Sequence, residues 1–331
     1  MRHSILTSIL AVLTAFCFAT LASTQATAQG AAQTFPNKPV RIIVPFPPGG
    51  SSDGSARVVA ERMSDEWKQP VLIENKPGAG STIGAAFVAS APPDGYTLLL
   101  VGPGAHGISS ALYNNLSYDA VKSFAGVAQL ASAPFVVVVN SSSKVNSMKE
   151  LIDLARSKPG QVTYSTSGSG AGPHLVTEMI ALATGVRLLH VPFKGSAPAT
   201  LALLGGQVEF SMADTSAMPH IQSAKLRGLA VTTARPSPLF RGVPTLAEAG
   251  IPGVEYLLTT GILAPAGTPR DVILKINAAI GRALANEDVQ HRLNGLGFEA
   301  APSTADKFDA FLASEVRKNT KIVRDIGLKL D

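Results

Sequence analysis

The sequence has almost no cysteine. Its 331 residues contain one, Cys17, which lies within an apolar run from Ile5 to Phe18 near the N-terminus. Arg2 and His3 precede this run, and Ala26-Thr27-Ala28 follows it with the small side chains of a signal-peptidase site. We therefore predict a signal peptide over 1–28, cleaved after Ala28. The chain that remains carries no thiol, which excludes disulfides, zinc–thiolate sites and cysteine nucleophiles in it.

Charged runs and catalytic motifs are also scarce. The 28 Lys and Arg against 23 Asp and Glu give a net charge of +5 without a basic cluster, which argues against nucleic-acid binding. No second apolar stretch approaches the roughly 20 residues of a membrane span. There is no G-x-S-x-G or H-E-x-x-H motif, and the histidines lack metal-ligand spacing. We predict no metal, no cofactor and no catalytic residue, hence a protein that is not an enzyme.

Two glycine loops match nucleotide-binding motifs only in part. Gly102 to Gly107 fits G-x-G-x-x-G after a strand, but Pro103 lies inside it and a following helix is doubtful. Ser167 to Gly170 lacks the Lys and the Ser or Thr that end a P-loop. We interpret the first loop as a tight turn at a cleft edge and the second as a backbone nest that suits a carboxylate.

What the sequence does contain is a repeated pattern of strand, glycine loop and helix. The apolar run Val40 to Val44 leads into Pro45-Phe46-Pro47-Pro48-Gly49-Gly50, and a helical pattern follows from about Ser55 to Lys68. Asp53, between the two, either accepts from a ligand or caps the helix, and we favour the cap. Free backbone N–H groups and the helix dipole together favour an anion at such a point. The stretch predicts a binding site for a small carboxylate.

The order of these units predicts an α/β fold of two lobes. Long extended segments at Val127 to Asn140 and Tyr256 to Ala264 are expected to cross between the lobes. We predict that 29–132 with 256–331 form lobe 1 and that 133–255 form lobe 2. Each lobe is expected to be a mainly parallel sheet flanked by helices, with the ligand in the cleft at the carboxyl ends of the strands.

Several side chains near this cleft have two interpretations. His174 begins a helix, and either donates to a ligand or packs and caps within the protein. Lys194 either supplies charge to the ligand or is a solvated surface lysine. Asp214 either accepts from a ligand amine or hydroxyl or caps the helix that starts at Ser216. Phe46 is either an apolar wall of the cleft or a core residue.

The sequence resembles the substrate-binding proteins of tripartite tricarboxylate transporters, the Bug receptor family. Ordered blocks that carry the resemblance lie along most of the chain: Phe35-Pro36-Asn37-Lys38-Pro39-Val40, Ile43-Val44-Pro45-Phe46, Glu74-Asn75-Lys76-Pro77-Gly78-Ala79-Gly80, Pro93-Asp94-Gly95-Tyr96-Thr97, His190-Val191-Pro192-Phe193-Lys194-Gly195, Pro244-Thr245-Leu246-Ala247-Glu248-Ala249-Gly250 and Ala264-Pro265-Ala266-Gly267-Thr268-Pro269.

The resemblance implies a periplasmic, monomeric receptor of the type II-like Venus-flytrap class, with two crossover strands as a hinge. Such a receptor binds a small organic carboxylate (a di- or tricarboxylate, an acidic amino acid or an aromatic acid) through backbone amides and water. It delivers the ligand to a two-protein membrane permease or reports it to a sensor kinase. The ligand-binding residues it implies are Phe46, Gly49, Gly50, Ser51, Ser81, Pro103, Ala105, His106 and Thr259 in lobe 1, and Ser167, Gly168, Ser169, Gly170, His174, Phe193, Lys194 and Asp214 in lobe 2.

Thr259 and Thr260 stand where many relatives of this family carry an aromatic residue. The smaller pair leaves room for a bulkier or aromatic acid. The alternative to a receptor is an exported α/β enzyme that acts on a carboxylated substrate, with His174 and Asp214 as acid and base. Turnover that is abolished by His174→Ala while binding is retained would identify such an enzyme.

Overall fold

The computed structural model describes residues 35–113, 115–325 and 327. The predicted signal peptide and its cleavage site lie outside these residues. In chain order the strands are β1 (Val40–Val44), β2 (Val71–Asn75), β3 (Thr97–Val101), β4 (Phe124–Pro134), β5 (Val136–Asn140), β6 (Thr163–Thr166), β7 (Leu189–Pro192), β8 (Phe210–Ala213), β9 (Leu226–Val231), β10 (Leu257–Pro265) and β11 (Glu299–Ala300).

The helices alternate with these strands, as the sequence pattern predicts. They are α1 (Ser51–Trp67), α2 (Thr82–Ala89), α3 (Pro103–Leu112), α4 (Met148–Ser157), α5 (Gly172–Thr184), α6 (Ser196–Leu204), α7 (Met218–Gln222), α8 (Arg270–Ala285), α9 (Glu287–Gly295) and α10 (Ala305–Asp325). Short 3-10 turns span Ala79–Ser81, Thr215–Ala217 and Pro238–Phe240. None of the described helices is long and apolar enough to cross a membrane.

The strands form two sheets, in the orders β11-β4-β10-β3-β1-β2 and β7-β6-β8-β5-β9. The prediction of mainly parallel sheets is wrong, because both are mixed. In the first sheet β1 pairs in parallel with β2 and β3, whereas β10 is antiparallel to β3 and β4. The reason is the crossover: β4 leaves the first sheet and β10 returns to it, so the two strands run in opposite directions side by side.

The two crossing segments are joined at the point where the chain passes between the sheets. Only Phe135 separates β4 from β5, and Tyr256 precedes β10 directly. The Thr232 hydroxyl donates to the Tyr256 carbonyl at 2.6 Å, and the Phe135 N–H donates to the same hydroxyl at 3.0 Å. One side chain of the second sheet therefore ties both crossings together.

The first sheet is built from residues 40–134 and 257–300, and the second from 136–231. The lobe boundaries at 132/133 and 255/256 stay a prediction, although the sheets follow the same division. Helix α10 does not pack in lobe 1 alone, since its Val323 belongs to a buried cluster with Phe135 and with Val137 of β5.

Each sheet is covered by the apolar faces of its helices. Helix α8 is an example, because Val272, Ile276 and Ile280 recur at helical spacing and are all buried in the cluster that includes Ile42 and Leu98 of the sheet. Burying a side chain of this size contributes roughly 1.5–3 kcal/mol. These layers leave the loops at the strand ends outside the core, and the site is predicted at these loops.

Candidate functional site

The loop between β1 and α1 ends in a helix that no described side chain caps. Its N-cap residue is Gly50, in an extended conformation, and Ser51 is the first helical residue. The first N–H groups of any helix have no partner within that helix, and the dipole makes them a favourable place for an anion. Gly50 and Ser51 therefore form the start of α1, earlier than the start near Ser55 that the sequence predicts.

Asp53 braces this loop from the first turn of α1. Its carboxylate accepts from the Gly49 N–H at 2.9 Å, from Asn75 Nδ2 at 2.8 Å and from Arg57 Nε at 2.9 Å. Asn75 Nδ2 also donates to the Phe46 carbonyl at 3.0 Å. Burial alone would raise the pKa of Asp53, but the hydrogen bonds from Arg57, Asn75 and Gly49 outweigh it and hold the pKa below its usual value. Asp53 is therefore an internal support, and the interpretation of Asp53 as the helix cap is wrong, because the N-cap is Gly50. The Gly49 N–H is already bound within the protein.

The turn before α2 lies against α3. Four successive residues, Gly78 to Ser81, have positive φ angles of 129°, 45°, 60° and 80°. This is strained for Ala79 and Ser81, which are not glycine, and such strain persists only where neighbours hold the backbone. The Ser109 hydroxyl donates to the Gly80 carbonyl, and the Ser81 N–H donates to Gly78 O at 3.0 Å.

The helix that the sequence leaves doubtful is present as α3, and it starts at Pro103. Proline suits the first position of a helix because that N–H has no partner anyway. A side chain at Gly102, just before it, would lie 3.6 Å from the Thr259 carbonyl and 4.0 Å from the Phe46 ring. The start of α3, the return strand β10 and the β1–α1 loop therefore meet, which brings Pro103, Phe46 and Thr259 together.

His106, in the first turn of α3, does not present its ring to this meeting point. The side chain is 1% exposed, stacks on Tyr118 and meets the edge of Phe124, and its Nε2 lies 2.9 Å from the Ala120 carbonyl. Burial lowers the pKa of His106 to about 4. Its ring is a neutral core group and its backbone N–H donates to the Gly102 carbonyl at 2.8 Å, so neither is available to a ligand.

In lobe 2 the loop between β6 and α5 runs beside the loop after β7. The Phe193 N–H donates to Thr166 O at 3.0 Å and the Gly195 N–H donates to Ser167 O at 3.1 Å. Gly168 and Gly170 have φ angles of 145° and 73°, which favour glycine. The structure thus brings together the predicted residues Ser167 to Gly170 and Phe193 with Lys194, whose side chain is exposed.

His174 lies beneath this loop rather than at its free surface. The N–H of Gly170, which lies four residues before His174 in the chain, donates to His174 Nδ1 at 3.1 Å. Asp53 accepts from Gly49 with the same spacing in lobe 1. In both lobes, a side chain of the helix start therefore holds the glycine loop that precedes the helix.

Asp214 forms one contact between the two lobes. Its carboxylate accepts from the Ser216 N–H at 2.9 Å and from the Ser196 hydroxyl at 2.5 Å in its own lobe, and from the Ser51 hydroxyl of lobe 1 at 3.4 Å. Ser51 and Ser196 are the first residues of α1 and α6, and neither helix has a described side-chain cap. The capping role considered for Asp214 is present, together with a contact across the cleft.

A second contact across the cleft had no signal in the sequence. The Thr215 hydroxyl donates to the Leu296 carbonyl at 2.7 Å, from one lobe to the turn after α9 in the other. At the next residue, Gly297, a Cβ would lie 2.1 Å from the Thr215 Cβ, and φ is 77°. Among the described residues no group of three or more His, Cys, Asp or Glu side chains suits a metal ion.

The sequence matches the family described as the tripartite tricarboxylate transporter family receptor over residues 55–328. The chain belongs to this family. The receptor is 36% identical to the protein BugT of Bordetella pertussis over 330 residues, which cover 98% of this chain and 99% of BugT. The resemblance noted from the sequence blocks is thereby confirmed.

Solved structures give the same result for the fold. The periplasmic binding protein BugD superposes with a TM-score of 0.81 at 33% identity, covering 89% of this chain and 99% of BugD. Rpa4515 of R. palustris, solved with adipate, superposes with a TM-score of 0.83 at 32% identity and covers 89% of this chain and 99% of its own. MatC from Rhodopseudomonas palustris, solved with bound malate, superposes with a TM-score of 0.79 at 32% identity and covers 87% of this chain and 100% of its own. The receptor is a two-lobed α/β periplasmic solute-binding protein, as predicted.

Proposed function

We propose that this receptor captures a small organic carboxylate between its lobes and delivers it to a two-protein membrane permease of the tripartite tricarboxylate type. The observation that carries the proposal is the convergence of two uncapped helix starts from opposite lobes, at Ser51 and Ser196, on one carboxylate, that of Asp214. The first N–H groups of both helices have no partner within the helix, so they supply the donors that a ligand carboxylate requires.

Within this proposal the ligand carboxylate is held by backbone amides of the two loops. The Gly50–Ser51 segment supplies the donors in lobe 1, and the nest at Ser167 to Ser169 supplies those in lobe 2. The acids in two of the solved relatives, adipate and malate, are of the same chemical class. Phe46 and Thr259 form the wall next to the start of α3, which limits the length and width of the acid.

Asp214 adds selectivity to this scheme. It is 7% exposed, and the Ser51 hydroxyl at the start of α1 already donates to it. A ligand carboxylate bound at the same helix start is repelled by Asp214, unless the ligand places a hydrogen-bond donor between the two charges. We therefore propose that acids with a hydroxyl or amine beside the carboxylate are preferred.

The test is a thermal-shift and calorimetry panel of di- and tricarboxylates, acidic amino acids and aromatic acids. A ligand at about 100 times its Kd raises the unfolding free energy by roughly 2.7 kcal/mol, which shifts the melting temperature measurably. Ser51→Ala should weaken binding roughly fivefold, because the hydrogen bond that links the start of α1 to Asp214 across the cleft is lost. Ser90→Ala, at an exposed serine of the turn after α2, is the matched control. A panel in which no acid shifts the melting temperature would refute the proposal.

Transport is distinguished from signalling by physiology. Loss of uptake of the identified acid in a deletion strain supports delivery to a permease. Normal uptake, combined with a lost transcriptional response to the acid, supports a sensor kinase as the partner instead.

A further inference from the structure

The glycine loop of lobe 2 lies on a pair of stacked histidines. The rings of His174, on α5, and His190, on β7, are nearly parallel, with centroids 3.8 Å apart and an interplanar angle of 15°. His174 Nδ1 accepts from the Gly170 N–H at 3.1 Å, near the end of the loop. His190 Nε2 lies 2.6 Å from the Thr166 hydroxyl, at its beginning. The two rings therefore hold both ends of the segment that presents Ser167 to Ser169.

The bond to Gly170 fixes the protonation state of His174. A ring nitrogen accepts a hydrogen bond only when it carries no proton, so Nδ1 must be unprotonated and the proton of the neutral ring is on Nε2. A proton added to Nδ1 would place two donors against each other at 3.1 Å. The loop geometry of the structure is thus linked to a neutral His174.

The groups around the pair make this link sensitive to pH. The Glu178 carboxylate on α5 lies 3.9 Å from His174 Nε2, and it accepts from the Tyr164 hydroxyl of β6 at 2.6 Å. The Tyr164 ring stacks on His190 at 4.9 Å. Burial, together with the charge that His174 takes on when protonated, lowers the pKa of His190 to about 4. Two protonated rings at this separation would repel each other, and one carboxylate on the far side of His174 does not separate them.

We propose that His174 is a positioning residue, which fixes the lobe 2 glycine loop through the Gly170 N–H while the stacked pair is neutral, and that protonation of the pair frees the loop and lowers affinity for the bound acid. This inference rests on the proposed carboxylate-binding function. It assigns His174 to the support of the backbone nest rather than to direct contact with the ligand, and it makes His190 part of the same support.

Two variants test the proton-dependent step. His174→Asn removes it and retains a side-chain acceptor that does not titrate. His190→Phe retains an aromatic ring for the stack but carries no charge and loses the contact with Thr166. His291→Gln, at an exposed histidine of α9, is the matched control. Circular dichroism and melting curves at each pH establish that every variant is folded.

The first readout needs no ligand. Hydrogen–deuterium exchange of 166–171, corrected for the intrinsic pH dependence of exchange, should show protection that falls as the pH drops from about 6.5 to about 4 in the wild type and in His291→Gln. The protection should stay constant in His174→Asn, whereas it should still fall in His190→Phe, because His174 titrates there without the opposing charge of His190. The same profile in all four proteins would overturn the inference, whatever the ligand is.

The second readout is calorimetric affinity for L-malate and adipate over the same pH range. Protonation of the acid itself affects all proteins alike, so the comparison between proteins isolates the loop. The wild type should lose roughly fivefold more affinity on acidification than His174→Asn, about the contribution of one hydrogen bond. Parallel losses would overturn the inference and leave the proposed function intact. Failure of every panel acid to bind at neutral pH, with the exchange result as expected, would overturn the proposed function alone.

Discussion

The buried ring of His106 makes a quantitative prediction about acid stability. Its pKa of about 4 in the folded protein lies below the ordinary value of 6.5, because burial disfavours the charged ring. The unfolded chain therefore binds a proton between about pH 6.5 and about pH 4 that the folded protein does not. The contribution of His106 to stability is full above that range and is lost as the pH falls through it.

The magnitude follows from the size of the shift. One pKa unit corresponds to 1.36 kcal/mol, so the shift is worth about 3 kcal/mol of unfolding free energy at the acid end. In His106→Gln this pH-dependent part disappears, since an amide does not titrate. The variant also loses ring contacts with Tyr118 and Phe124, which lowers its stability at every pH by roughly 0.5–1.5 kcal/mol.

Urea unfolding at a series of pH values between neutral and about pH 4 measures both effects. The wild type should lose about 3 kcal/mol more than His106→Gln over this range. His190 titrates in both proteins, so its contribution cancels in the difference. His291→Gln should follow the wild type. Parallel pH dependences for wild type and His106→Gln would show that the ring is solvated, and would refute the placement of His106 in the core.

Three further predictions concern the cleft. Gly297→Ala places a methyl group against Thr215 at a left-handed backbone position. Small-angle scattering should then show lobes that are further open, and calorimetry should show a lower affinity for the ligand. Unchanged scattering and affinity would contradict the contact. Asp53→Asn removes the buried charge that Arg57 pairs with and should cost roughly 1–3 kcal/mol in urea unfolding, whereas a cost near zero would exclude its role as a brace. Asp214→Asn keeps a capping side chain but removes the charge beside the ligand carboxylate, so it should abolish a preference for L-malate over succinate. A preference that is preserved in calorimetry would argue against Asp214 as the selective group.

The sequence is informative where structure is set by residues close together in the chain. The Pro-Phe-Pro-Pro-Gly-Gly stretch and the presence of a helix after it follow from local preferences and helical spacing, although α1 begins at Ser51 and not near Ser55. Helix α3 is less certain from the sequence because Pro103 suggests a turn as much as a first helical residue. Mixed sheet direction is not local either, since it depends on how the return strand β10 meets β4.

Side-chain direction at the site depends on residues far away in the chain. The His106 ring packs in the core against Tyr118 and Phe124, and the His174 ring stacks on His190. Neither orientation can be predicted from the sequence of the glycine loops alone. The contact between Thr215 and Leu296 joins residues 81 positions apart and has no motif. The sequence therefore predicts which loops form the cleft better than it predicts which side chains face it.

Native mass spectrometry of the receptor purified without added ligand tests the central claim most directly. We expect a population that carries one small organic acid per chain, which dissociates on activation and has the mass of a carboxylate. Ser51→Ala should retain less of it, while Ser90→Ala should retain as much as the wild type. A bound species that is not an acid, or a chain that neither carries nor takes up any acid of the panel at millimolar concentration, would contradict the account.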